Sequence, residues 1–573
     1  SASENPTPAV TSASPSSLSV GDSGFSITGL GFAKNATVYF AGAKMPTQWV
    51  SDTELTVTGA IPALPGGIAA VKVMNPDPGS SVSTSIVVPV KMTGNKMSYA
   101  EAVRFLELAS WGPTPESVAH LMTVGRDAWL AEQFDPAATT ITPYPLPNDA
   151  NEGVTRMQDA FFTNALTGPD QLRQRVAFAL SQILVVSAIK DTRYAQMAPY
   201  MTMLSTNAFG NFRTLMEQVT RNPSMGYFLD MVNNDKANPA RNTVANENYA
   251  RELMQLFTVG LVNLNMDASA AATPTYDETT VKELAKVMTG WTYAPQTGFA
   301  SHWTNPAWYF DPMIAFEEHH DVTAKTLKFT GYSNPSCSIA GGGKAQSDLT
   351  SALDCIFNHP NVAPFISYRL IQRLVTSNPS PAYVRDISTV FRNTNGDLKQ
   401  VVTAILTHAE AGAPLKLNEP VLFATRLLRS LNATVTNQAT GIRSQTTAMG
   451  QNVLTAPSVF NYFSPFFRVG GTVAPEFQIV NAATALGRLN FANRVVYNQL
   501  SGAVRVDFTN WQDLAANPAT LIEAVNQALY RGEMTADEKS ALSVAVGSNK
   551  SAANIVRAVV YVAASSPRYQ VQQ

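Results

Sequence analysis

Two short stretches concentrate the side chains that can do chemistry. The first, "EEHHD" at 317–321, is the densest ionisable cluster in the chain. Carboxylates and imidazoles this close can act as general acid and base, or share a divalent metal through His319 and His320. In a strand, Glu318 and His320 would share one face, and His319 and Asp321 the other. All five side chains therefore cannot converge on one site. The second stretch, "VANENYARELMQLFTVGL" at 244–261, has apolar residues at helical spacing. Asn246 is placed to cap this helix, and Glu247 to sit in its first turn, where an acid complements the dipole. Glu247 and Arg251, four apart, form a favourable pair.

Structure alone accounts for those three residues. Asn248 and Glu252 lie at the edge of the apolar face, where a half-buried acid needs a partner. Glu252, His320 and Asp321 are thus the candidate catalytic set, with Glu252 or Asp321 as acid or base. His320 is its partner or a metal ligand. Asn248 and Arg251 are candidate substrate contacts, Arg251 for an anionic group if it turns inward. The competing reading is structural: a well-capped helix, and a solvated edge strand beside an aromatic core.

Between the two stretches the chain is rich in aromatic residues. Trp291, Trp303 and Trp308 fall there, three of seven tryptophans, and so does His302. Aromatics on a loop can floor a cleft, which makes all three tryptophans candidate substrate-binding residues. Preceding them, "TYDETTVKELAKVMTGW" reads as a helix with a Thr275–Glu278 capping box and a stop at Gly290. Cys337 and Cys355 flank the Gly-rich "AGGGKAQ" and match no zinc spacing, so a disulfide is the expectation. There is no G-x-S-x-G elbow, no H-E-x-x-H and no dinucleotide fingerprint; "GGGK" is followed by Ala345, where a P-loop needs Ser or Thr.

The elements that must position these residues are of two kinds. Residues 8–90 form short, alternating, β-rich pieces separated by Gly, Pro, Asn and Asp, the pattern of a small Ig-like β-sandwich. Residues 1–7 read as a flexible N-terminus, and 91–98 as a linker. From 99 to 573 helical spacing dominates, giving a large, mainly α-helical domain interrupted by a loop-rich stretch at 291–348. Thr114 and Pro115 stand in the preferred N-cap and N1 order. "VAFALSQILVVSAI" (176–189) is too short to span a bilayer and reads as a buried helix.

Composition narrows the function. The balance of 40 basic and 42 acidic residues offers no stripe for nucleic acid or an anionic membrane. Charged residues are 14% of the chain, against about 25% typically, which suits an exported protein. The start, "SASENPTPAVTSASPSS", has the small, polar character of a mature N-terminus after signal-peptide removal. The expected location is extracellular, periplasmic or at the cell surface.

Within 8–90, "SITGLGF", "ATVYFAG" and "AAVKVMNPDPG" resemble the TIG (IPT) immunoglobulin-like domain. The resemblance implies a spacer or binding module. "AVRFLELASWGPTPESV", "DQLRQRVAFALSQILVVS", "NENYARELMQLFTVGL", "ELAKVMTGWTY" and "IFNHPNVAPFISYRLIQRLVTSNPSPAYV" resemble the bacterial family called domain of unknown function 1800. That resemblance implies export and supplies no activity. Its recurring polar positions fall on Asn246, Glu247, Asn248, Arg251, Glu252, Thr289, Trp291, His320, Asp321 and Lys325. The expectation is a hydrolase or lyase on an extracellular polymer such as polysaccharide. The alternatives are a non-catalytic surface binding or assembly protein, whose partner is a surface protein, and a metal-dependent oxidoreductase.

Overall fold

The computed structural model describes residues 4–149, 151–412, 416–547 and 551–572; part of the expected flexible N-terminus, residues 1–3, lies outside them. The described residues form two compact units.

The first unit runs up to Glu132, continues through Asn418–Gln445 and is completed from Ala482 onward. It opens with the β-sandwich. Strands β1 (Ala9–Ser14), β3 (Gly24–Leu30), β7 (Glu54–Thr58) and β6 (Thr47–Ser51) form one sheet, in that order. The other has β2 (Leu18–Ser19), β9 (Ile86–Lys91), β8 (Ile68–Met74), β4 (Thr37–Phe40) and β5 (Ala43–Met45). Pairing is antiparallel except between β2 and β9. Alternation puts Phe25, Ile27, Leu55 and Val57 of one sheet against Val38, Phe40, Val71 and Val73 of the other, all buried.

Helices follow, at Tyr99–Ala109 and Pro115–Val124, the latter capped by Thr114 with Pro115 at N1 as the sequence predicts. The sandwich is bound to the helix Thr509–Leu514 of the same unit. Asn510 stands in for a neighbouring strand: its Oδ1 accepts from the Ala70 amide at 2.9 Å, and its Nδ2 donates to the Ile68 carbonyl at 2.8 Å. Lys72 and Asp513 pair beside it at 2.8 Å.

The second unit comprises Gln133–Leu417 and Thr446–Asn481. The apolar run expected as one helix to 189 is helical only over Gln171–Ser181; the remainder is irregular, buried through Ala188 and exposed at Ile189. In 291–348, Trp291–Thr292 pairs with Ile314–Ala315, and Lys325–Thr326 with Ser338–Ile339. Cys337 and Cys355 are joined by a disulfide. It ties this irregular stretch to the helix Ala345–Phe357. Among the described residues no helix is long and apolar enough to cross a membrane.

Candidate functional site

The helix of the second motif spans Asn248–Gln255, with Glu247 at the N-cap position. Asn246 still serves its start, because its Oδ1 accepts from the Asn248 amide at 2.9 Å. Arg251 does not turn inward. It donates to Glu247 at 2.9 Å and to both oxygens of Glu278, at 3.0 and 2.8 Å. That guanidinium holds the Glu278 carboxyl down at about 2. The expected capping box is absent: Asp277 caps the helix Glu278–Val287 by accepting from the Thr280 amide, while Thr275 is buried two residues before the helix cap. Asp277, two positions closer to the helix, is the residue whose oxygen reaches the orphan amide. Glu252 is half-buried, and its Oε2 has no hydrogen-bond partner among the described residues. Burial raises its carboxyl above the usual range, with Arg251 opposing weakly.

"EEHHD" is not a strand. Glu317–His319 form a short 3-10 turn, and His320 follows in extended conformation. The turn separates the two imidazoles. His320 is fully buried, with Nδ1 3.0 Å from the Thr289 carbonyl and Nε2 3.1 Å from Asp348 Oδ2. Lys325, also buried, donates to the same Asp348 oxygen at 2.6 Å and to the carbonyl of Asp321. Asp321 turns its carboxylate to the amide and hydroxyl of Thr323. Burial opposes its ionisation, but these hydrogen bonds outweigh it and hold the carboxyl below the usual range. Glu317 accepts from the Ala345 amide at 3.0 Å, closing the start of the helix that carries Asp348.

His319 faces the other way. Its Nδ1 lies 3.1 Å from Asp235 Oδ1, and its ring stacks on Trp303, centroids 4.0 Å apart and planes 6° from parallel. His319 and His320 thus take separate partners, and among the described residues no group of three or more His, Cys, Asp or Glu is placed to hold a metal ion. Of the other tryptophans, Trp291 is buried under the Arg221 guanidinium, 5.6 Å from its ring centroid. Trp308 donates to Asp311 at 2.7 Å, beside a cavity of about 540 Å³ bordered by Tyr309, Phe310 and Asp311.

Asp235 belongs to a stretch that motif reading passes over, 229–248, "LDMVNNDKANPARNTVANEN". It forms the wall of an open cavity of about 760 Å³, bordered by Lys190, Tyr227, Asp230, Asn233, Asp235, Asn238, Arg241, Asn246, Tyr293 and Asn305. Tyr293, Tyr309 and Ala195 make a small core behind it, with Tyr227 and Val232 packed on. The wall is pinned through its backbone. The Asn233 amide donates to the Trp291 carbonyl at 2.7 Å, and the Gly290 amide to Asn234 at 2.8 Å. The Lys236 amide donates to the His319 carbonyl at 3.0 Å. Gly290 is required here: its φ is +83°, and a Cβ would lie 2.9 Å from the Phe316 carbonyl oxygen. Asp230, Asn233 and Asn242 adopt left-handed backbone, which Asn and Asp tolerate best. Asp230 pairs with Lys190 and accepts from Asn248 Nδ2 at 3.2 Å, which brings the predicted substrate contact Asn248 to the cavity's edge.

The structure therefore brings together His319, Trp303, Asn248 and the unforeseen Asp230 and Asp235. It joins His320 to Asp348 and Lys325 in the interior, and gives Glu252 no bond to either His320 or Asp321. The available signal for the cavity was the density of Asn and Asp in 229–248, which reads equally as an ordinary loop.

No curated protein matches the chain. Residues 8–88 match the IPT/TIG domain, in agreement with the sandwich. Residues 104–571 match the family described as "Protein of unknown function (DUF1800)", and the match covers most of the chain. The chain belongs to that family and carries an N-terminal IPT/TIG domain.

Proposed function

We propose that the protein is an exported or cell-surface hydrolase or lyase that acts on an extracellular polysaccharide through the cavity walled by 229–248. The observation that carries the reading is the ion pair between His319 and Asp235, a carboxylate on that cavity's wall, with Trp303 stacked on the imidazole. Asp235 Oδ1 lies 3.1 Å from Nδ1, an ion-pair distance, which leaves Nε2 to take up or deliver a proton. Asparagine amides and tyrosines on the wall suit hydroxyl groups and sugar-ring faces. Export is supported by the disulfide, a bond that persists in oxidising compartments. Proton transfer at His319 replaces the earlier assignment to Glu252, His320 and Asp321, because His320 has no exposure through which to meet a polymer.

The rival is a non-catalytic surface binding protein. It is favoured by one observation: Glu317, His320, Lys325 and Arg251 are all committed to internal bonds. The deciding experiment measures reducing-end release and gel retention on a panel of neutral and acidic polysaccharides, with wild type beside His319→Gln. We expect turnover by the wild type and a loss of about 100-fold or more in the variant, with retention and melting temperature unchanged. Retention without turnover by the wild type establishes the binding reading. Absence of both removes polysaccharide as the ligand.

A further inference from the structure

We infer that the cavity takes an acidic polysaccharide, one whose sugars carry carboxylates, and that Arg241 and Lys236 neutralise the carboxylate beside His319. The inference rests on the reading of the cavity as a polysaccharide site. Arg241 borders that cavity, on the 3-10 turn Pro239–Arg241. Asn238 holds the turn in place. Its Oδ1 accepts from the Ala240 and Arg241 amides at 3.0 and 3.3 Å, and its backbone bridges Thr243. The guanidinium itself is exposed and unspent. Among the described residues from 133 to 417, every other arginine head group has an interaction partner, as Arg251 has Glu278, Arg213 has Asp354 and Arg373 has the Phe463 ring. Arg241 has none.

Lys236 is the second free cation. It is exposed, forms no ion pair, and lies next to Asp235 with its amide on the His319 carbonyl. By contrast Lys190, across the same cavity, is taken by Asp230. Two unpaired cations therefore lie on the same stretch of chain as Asp235, the carboxylate of that wall that pairs with His319. Arginine's planar fork fits a carboxylate with two parallel hydrogen bonds.

This arrangement selects elimination over hydrolysis. With the sugar carboxylate neutralised, the hydrogen on the adjacent ring carbon becomes acidic enough for an imidazole. His319 Nε2 takes that proton, and the C–H electron pair becomes the double bond to the next carbon. The glycosidic C–O bond there breaks, its oxygen leaves with the bonding pair, and it recovers the proton from the imidazolium. No oxidant, reductant or water is consumed.

The test uses the full chain with polygalacturonate and, as the neutral probe, hydroxyethylcellulose. Retention in affinity gels is measured against salt, and product by the ultraviolet absorbance of the new double bond. We expect retention by polygalacturonate alone, weakening with salt. Arg241→Gln and Lys236→Gln should each weaken it about tenfold. Absorbance should appear with the wild type and vanish with His319→Gln. Equal retention by both polymers, indifferent to either cation variant, overturns acid recognition and leaves the polysaccharide reading standing. Reducing ends released without absorbance overturn the elimination. Retention by neither polymer overturns the underlying polysaccharide reading itself.

Discussion

Glu252 and His319 show how differently two ionisable residues from neighbouring motifs are placed. Glu252 sits on a helix edge with one oxygen buried and unpartnered, and burial raises its carboxyl above 4.5. An acid raised in this way binds its proton more tightly in the folded than in the unfolded chain. It therefore favours the fold at low pH, and that contribution is lost as pH rises from 4.5 through the raised value. Glu252→Gln cannot ionise, so its melting temperature relative to wild type should climb between about pH 4 and pH 7. A difference that stays flat across that window would place the carboxyl in water. The half-buried position of Glu252 was legible in the spacing around Tyr249 and Leu253; the absence of a partner was not, since partners come from other elements. His319 was named for its neighbours in sequence, yet its chemistry comes from Asp235 and Trp303.

The elements explain why. A strand at 317–321 would also have set His319 and His320 on opposite faces; the 3-10 turn at Glu317–His319 keeps them apart but gives them partners that alternation does not indicate. The short turn exists because its surroundings demand it: Gly290 packs against its backbone, and Glu317 is drawn to the start of the helix Ala345–Phe357. Asp348 on that helix then receives both His320 and Lys325. Such a long-range partner leaves no mark in local spacing. Long elements with clear periodicity, the sandwich strands and the helices at 99 and 115, were read correctly for the opposite reason: each declares its buried face through its own residues. Asp348→Ala strips two buried groups of their anion at once, so it should lower the free energy of unfolding by about 3–5 kcal/mol, measured by denaturant titration. A loss below about 1 kcal/mol would mean that the cluster is solvated and that the turn is held by other bonds.

At the scale of the molecule, the sandwich shares its compact unit with segments from the middle and end of the chain. Asn510 is the clearest link, since it completes hydrogen bonds that β8 would otherwise offer to a strand. Asn510→Ala leaves the Ala70 amide unsatisfied at a cost of about 1–3 kcal/mol. Hydrogen exchange at Ala70 should quicken accordingly, while exchange in the interior of β3 stays slow; unchanged protection at Ala70 would show that the sandwich is self-sufficient at that edge. Sequence alone marks the sandwich as a separate module, because its composition changes so sharply near residue 90. It does not reveal that residues from Ala482 onward complete the same unit.

That discontinuity sets an order of events during synthesis. The last parts of the second unit, through Asn481, have emerged before any of Ala482 onward exists, so the unit that begins first is finished last. Until then Tyr99 and Glu107 of the first helix after the sandwich lack the Gln527 carbonyl and the Arg531 guanidinium that they bond in the finished fold. The chain's most vulnerable interval therefore falls after Asn481 has emerged, when a product truncated there would keep an intact second unit and an open first one.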